Sequence, residues 1–198
     1  FEKVLKKLGV NITSTEFDNI YGSRKVIKDV NNPFHNHFYN YDLWSEAGSK
    51  LNDILPENYI VYGELIGYTS DGAEIQKSYS YDISPRTNKL YVYRIAVVNG
   101  QGVSVDLSWL QLKEYCKLNV LNYVHEIWTG KLKDMKIEQY IDVRLADVFA
   151  GCLTLGDNKD LVDEGVCIRR EGITPTILKA KSPKFFEHET SILDSGVV

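Results

Sequence analysis

The chain has little cysteine, no long apolar run and no surplus of positive charge, and each scarcity removes a class of protein. Its 198 residues include three cysteines, Cys116, Cys152 and Cys167, odd in number, far apart and set among apolar neighbours. That spacing suggests neither a disulfide framework nor a zinc site; it predicts buried thiols in a reducing compartment. No apolar stretch approaches the length that crosses a bilayer, so no membrane span is expected. With 23 Lys and Arg against 27 Asp and Glu, the formal net charge is −4. A polyanion must therefore be met by a local basic patch rather than by the field of the whole molecule. No internal repeat or low-complexity tract interrupts the chain. What is present is an ordinary globular composition, 43% apolar and 12% aromatic, which predicts a single domain over residues 1–198. The opening Phe-Glu-Lys-Val has no Met and the final Gly-Val-Val follows no closing element, so both ends read as cut. Unpaired cysteines and the lack of a visible export signal point to a cytoplasmic location.

Periodicity divides the rest. Phe1, Val4, Leu5 and Leu8 fall at helical spacing before Gly9, and Leu43, Trp44, Ala47, Leu51 and Leu55 repeat the pattern over residues 41–55 before Pro56. Residues 59–68 are a near-continuous β-rich run, expected to be a largely buried strand. Residues 89–98 read as a further strand with Tyr91, Tyr93 and Ile95 on one face, and a turn at 99–102 leads into residues 103–107. Ser108 is placed to cap a helix over 108–118 that packs through Leu110, Leu112, Tyr115 and Cys116. Residues 120–127 are a strand candidate, and 132–155 read as one or two helices. His35 and His37 sit in an aromatic, polar loop with no third ligand at zinc spacing; they read as structural or substrate-facing.

The charged residues carry more information. Residues 163–185 read as two strands joined by a turn at Glu171 and Gly172, with apolar Val166, Ile168, Ile177 and Ala180 interleaved among charges. Residues two apart on a strand share a face, so Lys179 and Lys181 project their ammonium groups together. They form either a solvated face or a pair that needs an anion between its charges. Glu64 is the one acid inside the run at 59–68, and it is costly to bury unless a cation, a hydrogen-bond donor or a metal meets it. Lys179 and Lys181 are the obvious partners; the alternative is a Glu64 that faces solvent from an edge strand. Arg24, delivered by a glycine turn to the start of a strand at Val26 and Ile27, is either an exposed edge residue or a bidentate donor for phosphate or carboxylate.

Taken in order, Gly-Ser-Arg-Lys at 22–25, Tyr-Gly-Glu-Leu at 62–65, Leu-Tyr-Val-Tyr-Arg-Ile at 90–95, Glu-Gly-Val-Cys-Ile-Arg at 164–169 and Leu-Lys-Ala-Lys at 178–181 resemble the motifs of covalent nucleotidyltransferases. Within them the likeness is greatest to ATP-dependent RNA ligases of phage type, and it runs from residue 21 to residue 185. The resemblance implies an α+β fold in which antiparallel sheets form a nucleotide-binding groove with flanking helices, a nucleotidyltransferase or ATP-grasp-like ligase fold. It implies ATP, consumed to AMP, and Mg2+ or Mn2+ as cofactors, with RNA ends as partners and DNA ends as the alternative. Arg24 would contact the ribose or phosphate, Glu64 the ribose hydroxyls or a metal-bound water, and Tyr93 would stack on adenine. Glu164 would bind the divalent ion and orient the nucleophile, while Lys179 and Lys181 would contact the α-phosphate.

The reaction so implied joins a 5′-phosphate to a 3′-hydroxyl. A lysine attacks ATP, AMP passes to the 5′-phosphate, and the 3′-hydroxyl attacks with AMP leaving. In that family the attacking lysine lies in a Lys-x-x-Gly motif upstream of the arginine motif. The one match here is Lys6-Lys7-Leu8-Gly9, on the expected helix, so the nucleophile is expected on residues before Phe1, and the 198 residues alone are not expected to self-adenylylate. Arg94 stands where related ligases often carry an acid. The rival readings are a DNA ligase or capping-type enzyme and a non-catalytic nucleotide- or nucleic-acid-binding module of ligase fold. The implied setting is RNA repair in the cytoplasm of a phage-infected host.

Overall fold

The computed structural model describes residues 18–28, 39 and 41–194. The helix expected at 1–8, with Lys6, and the loop histidines His35 and His37 lie outside the described residues. The chain divides into two compact units, Phe1–Glu57 and Asn58–Val198.

In the first unit, Gly22 and Ile27 form one antiparallel bridge, closed by Ser23 N–H to Val26 O at 2.9 Å and Lys28 N–H to Tyr21 O at 2.8 Å. The strand expected at Val26 is thus a single bridge, because the chain turns back on itself within five residues. Helix α1, Leu43–Ser49, starts at Asp42, whose carboxylate accepts from Ser45 N–H at 3.2 Å, and buries Leu43 and Ala47. It stops well before residue 55. Gly48 and Ser49 are weak helix formers, and the chain continues in shorter-range turns such as Leu51 N–H to Gly48 O at 2.9 Å.

The second unit holds two sheets. Strand β1, Tyr59–Gly67, pairs antiparallel with β2, Asn88–Val98; β2 also pairs antiparallel with β3, Ser104–Asp106, and parallel with the two-residue β4, Asn122–Tyr123. Helix α2, Trp109–Leu118, begins in a reciprocal cap: Gln111 N–H donates to Ser108 Oγ at 3.3 Å and Ser108 N–H to Gln111 Oε1 at 2.9 Å. Its Leu112 and Cys116, one turn apart, close a core with Val92 and Ile95. Leu110 lies two residues off that stripe and is 62% exposed, contrary to the packing side expected.

A second hairpin, β5 (Gly165–Arg170) and β6 (Thr176–Lys181), pairs antiparallel and packs Val166 and Ala180 against Tyr140 and Leu145. The helices expected over 132–155 reduce to two 3-10 turns, Leu132–Asp134 and Ile137–Tyr140, and the one-turn helix α3, Leu145–Val148. Here the apolar residues are spent singly on the hairpin instead of forming one helical stripe. The final helix α4, Pro183–Asp194, was not expected. Its signal is nevertheless present, a serine followed by proline at the first helical position. Phe185 anchors it beside Tyr79, Leu155 and Leu161. The thiols also depart from expectation: Cys116 is buried, Cys152 half-buried and Cys167 exposed. No helix among the described residues is long and apolar enough to cross a membrane.

Candidate functional site

Strand β2 carries a bulge where the site begins. The β1–β2 register passes from Tyr62 opposite Arg94 to Gly63 opposite Val92, which leaves Tyr93 as the extra residue. The bulge flips the side-chain alternation. Val92 and Ile95, three apart, both point into the core with no exposure, while Tyr93 is turned outward at 39%. The single face of Tyr91, Tyr93 and Ile95 expected from strict period two therefore does not exist. Gly63 sits opposite the bulge, where a Cβ would come within 2.6 Å of a Leu90 methyl and 3.0 Å of Tyr91 O.

The hairpin supplies the charges. Register places Cys167 opposite Lys179 and Gly165 opposite Lys181, so these four share the face opposite Val166 and Ala180. Glu164 stands just before β5, and its Oε1 accepts from Lys179 Nζ at 2.7 Å and from Lys181 Nζ at 2.8 Å. Gly165 makes that turn: its φ is +127°, and a Cβ there would sit 2.0 Å from Ala180 O. The Lys181 ammonium also lies over the Phe186 ring, 4.8 Å from its centroid. The anion that the lysine pair required is thus Glu164.

Glu64 follows the solvent-facing alternative on an edge strand and not the ion pair with Lys179 and Lys181. Among the described residues it forms no ion pair, because Glu164 engages both lysines; it stands exposed on β1 within the field of Lys179 and Glu164. Although solvent reaches part of its side chain, desolvation by the protein around the carboxyl raises it above the ordinary range, Lys179 opposing and Glu164 reinforcing the shift. For Glu164 burial also works upward, but hydrogen bonds from Lys179 and Lys181, with their charges, outweigh it and hold the carboxyl below its ordinary value. Burial raises the Tyr93 phenol and Glu64 adds to it. Cys167 is raised by burial and by both glutamates against the opposing field of Lys179. Glu64, Tyr93, Glu164, Lys179 and Lys181 are therefore brought together, from β1, the β2 bulge and the hairpin. Arg24 is exposed on the turn between Gly22 and Ile27, in the first unit.

Two neighbours escaped the sequence. Cys167 could have been found by pairing the hairpin about its turn, which sets it opposite Lys179. Tyr81 could not: it comes from the irregular segment between β1 and β2, in left-handed backbone at φ +54°. Its phenol is raised by burial and then by Asp163, and it also feels Glu64 and Glu164. Arg94, the residue at odds with the expected pattern, lies over the Tyr62 ring at 4.7 Å and forms a two-pronged pair with Asp106, both contacts 2.8 Å. It braces β2 to β3.

The cluster combines two ammonium groups on one strand, a half-buried carboxylate between them, a second carboxylate that is exposed and a solvent-facing aromatic ring. Glu64 and Glu164 are hard oxygen donors, and two such carboxylates suit a Mg2+ that takes its remaining ligands from water and phosphate. No group of three or more His, Cys, Asp or Glu able to hold a metal exists among the described residues. Comparison with curated proteins and with solved structures finds no match. The family model for RNA ligase matches residues 9–181, far more than half of the chain and all of the cluster just described. The chain belongs to the RNA ligase family.

Proposed function

We propose that this chain is the nucleotide-binding, adenylyltransferase part of a phage-type, ATP-dependent RNA ligase of the covalent nucleotidyltransferase kind. The observation that carries the reading is the paired contact of Lys179 and Lys181 with one Glu164 oxygen, with Glu64 and Tyr93 in the same site. An α-phosphate is the ligand that such a pair fits: it exchanges with the carboxylate, and the two ammoniums neutralise the charge that grows on its oxygens. Glu164, so released, and Glu64 would hold Mg2+ or Mn2+, which supplies further charge neutralisation when bound. Tyr93, aimed outward by the bulge, offers its face to the adenine.

The position of the nucleophile has a reading within the described residues. Gly22, which opens the arginine motif, is preceded three residues earlier by Asn19, so Asn19-Ile20-Tyr21-Gly22 has the Lys-x-x-Gly frame with asparagine in first place. A carboxamide nitrogen is not a nucleophile at neutral pH, so this chain is expected to bind ATP without forming a lysyl-AMP bond. The test is calorimetry with ATP and Mg2+ on the chain as it stands, followed by incubation of Asn19→Lys with radiolabelled ATP. Binding by the parent and label only in the variant support both statements. Absence of binding overturns the functional reading, and label on the unmodified chain overturns the assignment of Asn19. Paired RNA and DNA nicks, offered in pre-adenylylated form, separate an RNA ligase from a DNA ligase.

A further inference from the structure

One short segment outside the charged cluster grips it from both sides. Residues 142–145 contact the residue before Glu164 and the residue after Lys181. At one end, Asp142 Oδ1 accepts from the Ser182 hydroxyl and from Lys184 N–H at 3.0 Å. At the other, Leu145 N–H donates to Asp163 Oδ2 at 2.7 Å, and Asp163 N–H donates to Val143 O at 3.1 Å. Ser182, which is fully buried, closes the ring by donating its N–H to Glu164 O at 2.9 Å.

The need for such a clip follows from the hairpin. Gly165 opposite Lys181 is the last rung of the β5–β6 ladder, so Glu164 and Lys181 lie at its open end, where strands fray. Gly165 has no side chain to pack, and its left-handed φ gives no rigidity of its own. Asp142 is itself held at φ +57°, a conformation that costs a non-glycine residue and persists where surrounding bonds fix it. Its carboxylate meets the Ser182 hydroxyl and the Lys184 amide, with the Lys184 charge nearby; Glu164 is faced by Lys179, Lys181 and Glu64.

We infer that Asp142, acting through the buried Ser182, is a positioning residue that sets the Glu164–Lys181 contact and so the anion-binding geometry of the site. Its consequence for ligand binding rests on the function proposed above; its consequence for Glu164 does not. The experiment measures two quantities in the parent, Asp142→Ala, Ser182→Ala and Asp142→Asn: the hydrogen exchange of the amide at position 182, which donates to Glu164 O, and the affinity for ATP with Mg2+ by calorimetry. In Asp142→Ala and Ser182→Ala that amide is expected to exchange about tenfold faster, and ATP affinity to fall about tenfold, the scale of one lost hydrogen bond to a charged group. Asp142→Asn keeps an acceptor oxygen and is expected to stay near the parent in both.

Should Asp142→Ala not fold, Ser182→Ala decides, since it removes one hydroxyl and leaves the Lys184 bond. A lowered melting temperature with parent-like exchange at position 182 would make the clip merely structural and overturn the inference. Failure of the parent to bind ATP would defeat the functional reading alone, because the amide exchange still reports on Asp142. Faster exchange with unchanged ATP affinity overturns the link from the clip to the ligand.

Discussion

Replacing Glu164 by Gln tests the site where its physics is simplest. The substitution keeps size and hydrogen-bonding capacity but removes the negative charge between two ammoniums that both lie within 2.8 Å of one oxygen. Lys179 and Lys181 are thus under about 6 Å apart, where like charges repel by about 0.7 kcal/mol in water and about 3 kcal/mol at an effective dielectric of about 20. The side chains are 46% and 32% exposed, which puts the repulsion toward the lower end, about 1 kcal/mol. The parent carries that repulsion too, offset by two partly exposed ion pairs; losing both, at about 0.5–1 kcal/mol each, destabilises by about 1–2 kcal/mol, a fall of roughly 2–8 °C in melting temperature for a chain of this size. An added anion should reverse the effect. Without metal, inorganic pyrophosphate is expected to bind Glu164→Gln about fivefold tighter than the parent, the equivalent of about 1 kcal/mol. Scanning fluorimetry over a pyrophosphate series, with calorimetry, measures both numbers. If the variant melts with the parent and responds to pyrophosphate identically, the two lysines are not an anion site held closed by Glu164.

Three further outcomes follow from the same geometry. Tyr93→Leu is expected to weaken ATP binding by about 1–3 kcal/mol, the scale of one base–aromatic stack, whereas Tyr93→Phe keeps the ring and stays near the parent; equal losses in both would refute stacking. Arg94→Met strands the Asp106 carboxylate, whose side chain is 6% exposed, and is expected to cost about 2–3 kcal/mol in urea unfolding, with Arg94→Met/Asp106→Leu recovering much of it. The pH dependence of stability should turn over. Glu64 and Asp163 are raised, so just above the ordinary carboxylate range the folded state binds more protons than the unfolded chain, and stability increases as pH falls. Glu164 and Asp142 are lowered by the hydrogen bonds they accept, so through and below that range the unfolded chain binds more protons and stability is lost as pH falls. Melting temperature against pH should show this maximum, and Glu64→Gln should flatten the rise on its alkaline side; a monotonic curve unaffected by Glu64→Gln contradicts the raised Glu64.

Local alternation and turn chemistry make part of this site legible in the residues alone. The hairpin of β5 and β6, with Lys179 and Lys181 on one face, follows from period two about the Glu171–Gly172 turn, and α2 follows from Ser108 and Gln111 at capping spacing. Which acid the lysines hold is an outcome of packing. That choice depends on the left-handed Gly165, which folds Glu164 back over its own hairpin while Glu64, on another strand, is left open. The outward aim of Tyr93 likewise depends on a pairing shift against β1, which no property of β2 alone contains. Residues 132–155 lost their expected helices because their apolar side chains answer to the hairpin core and not to one another. Alternation and capping are written within a few residues of one strand or helix, whereas registers, bulges and the meeting of distant charges are settled by which surfaces pack.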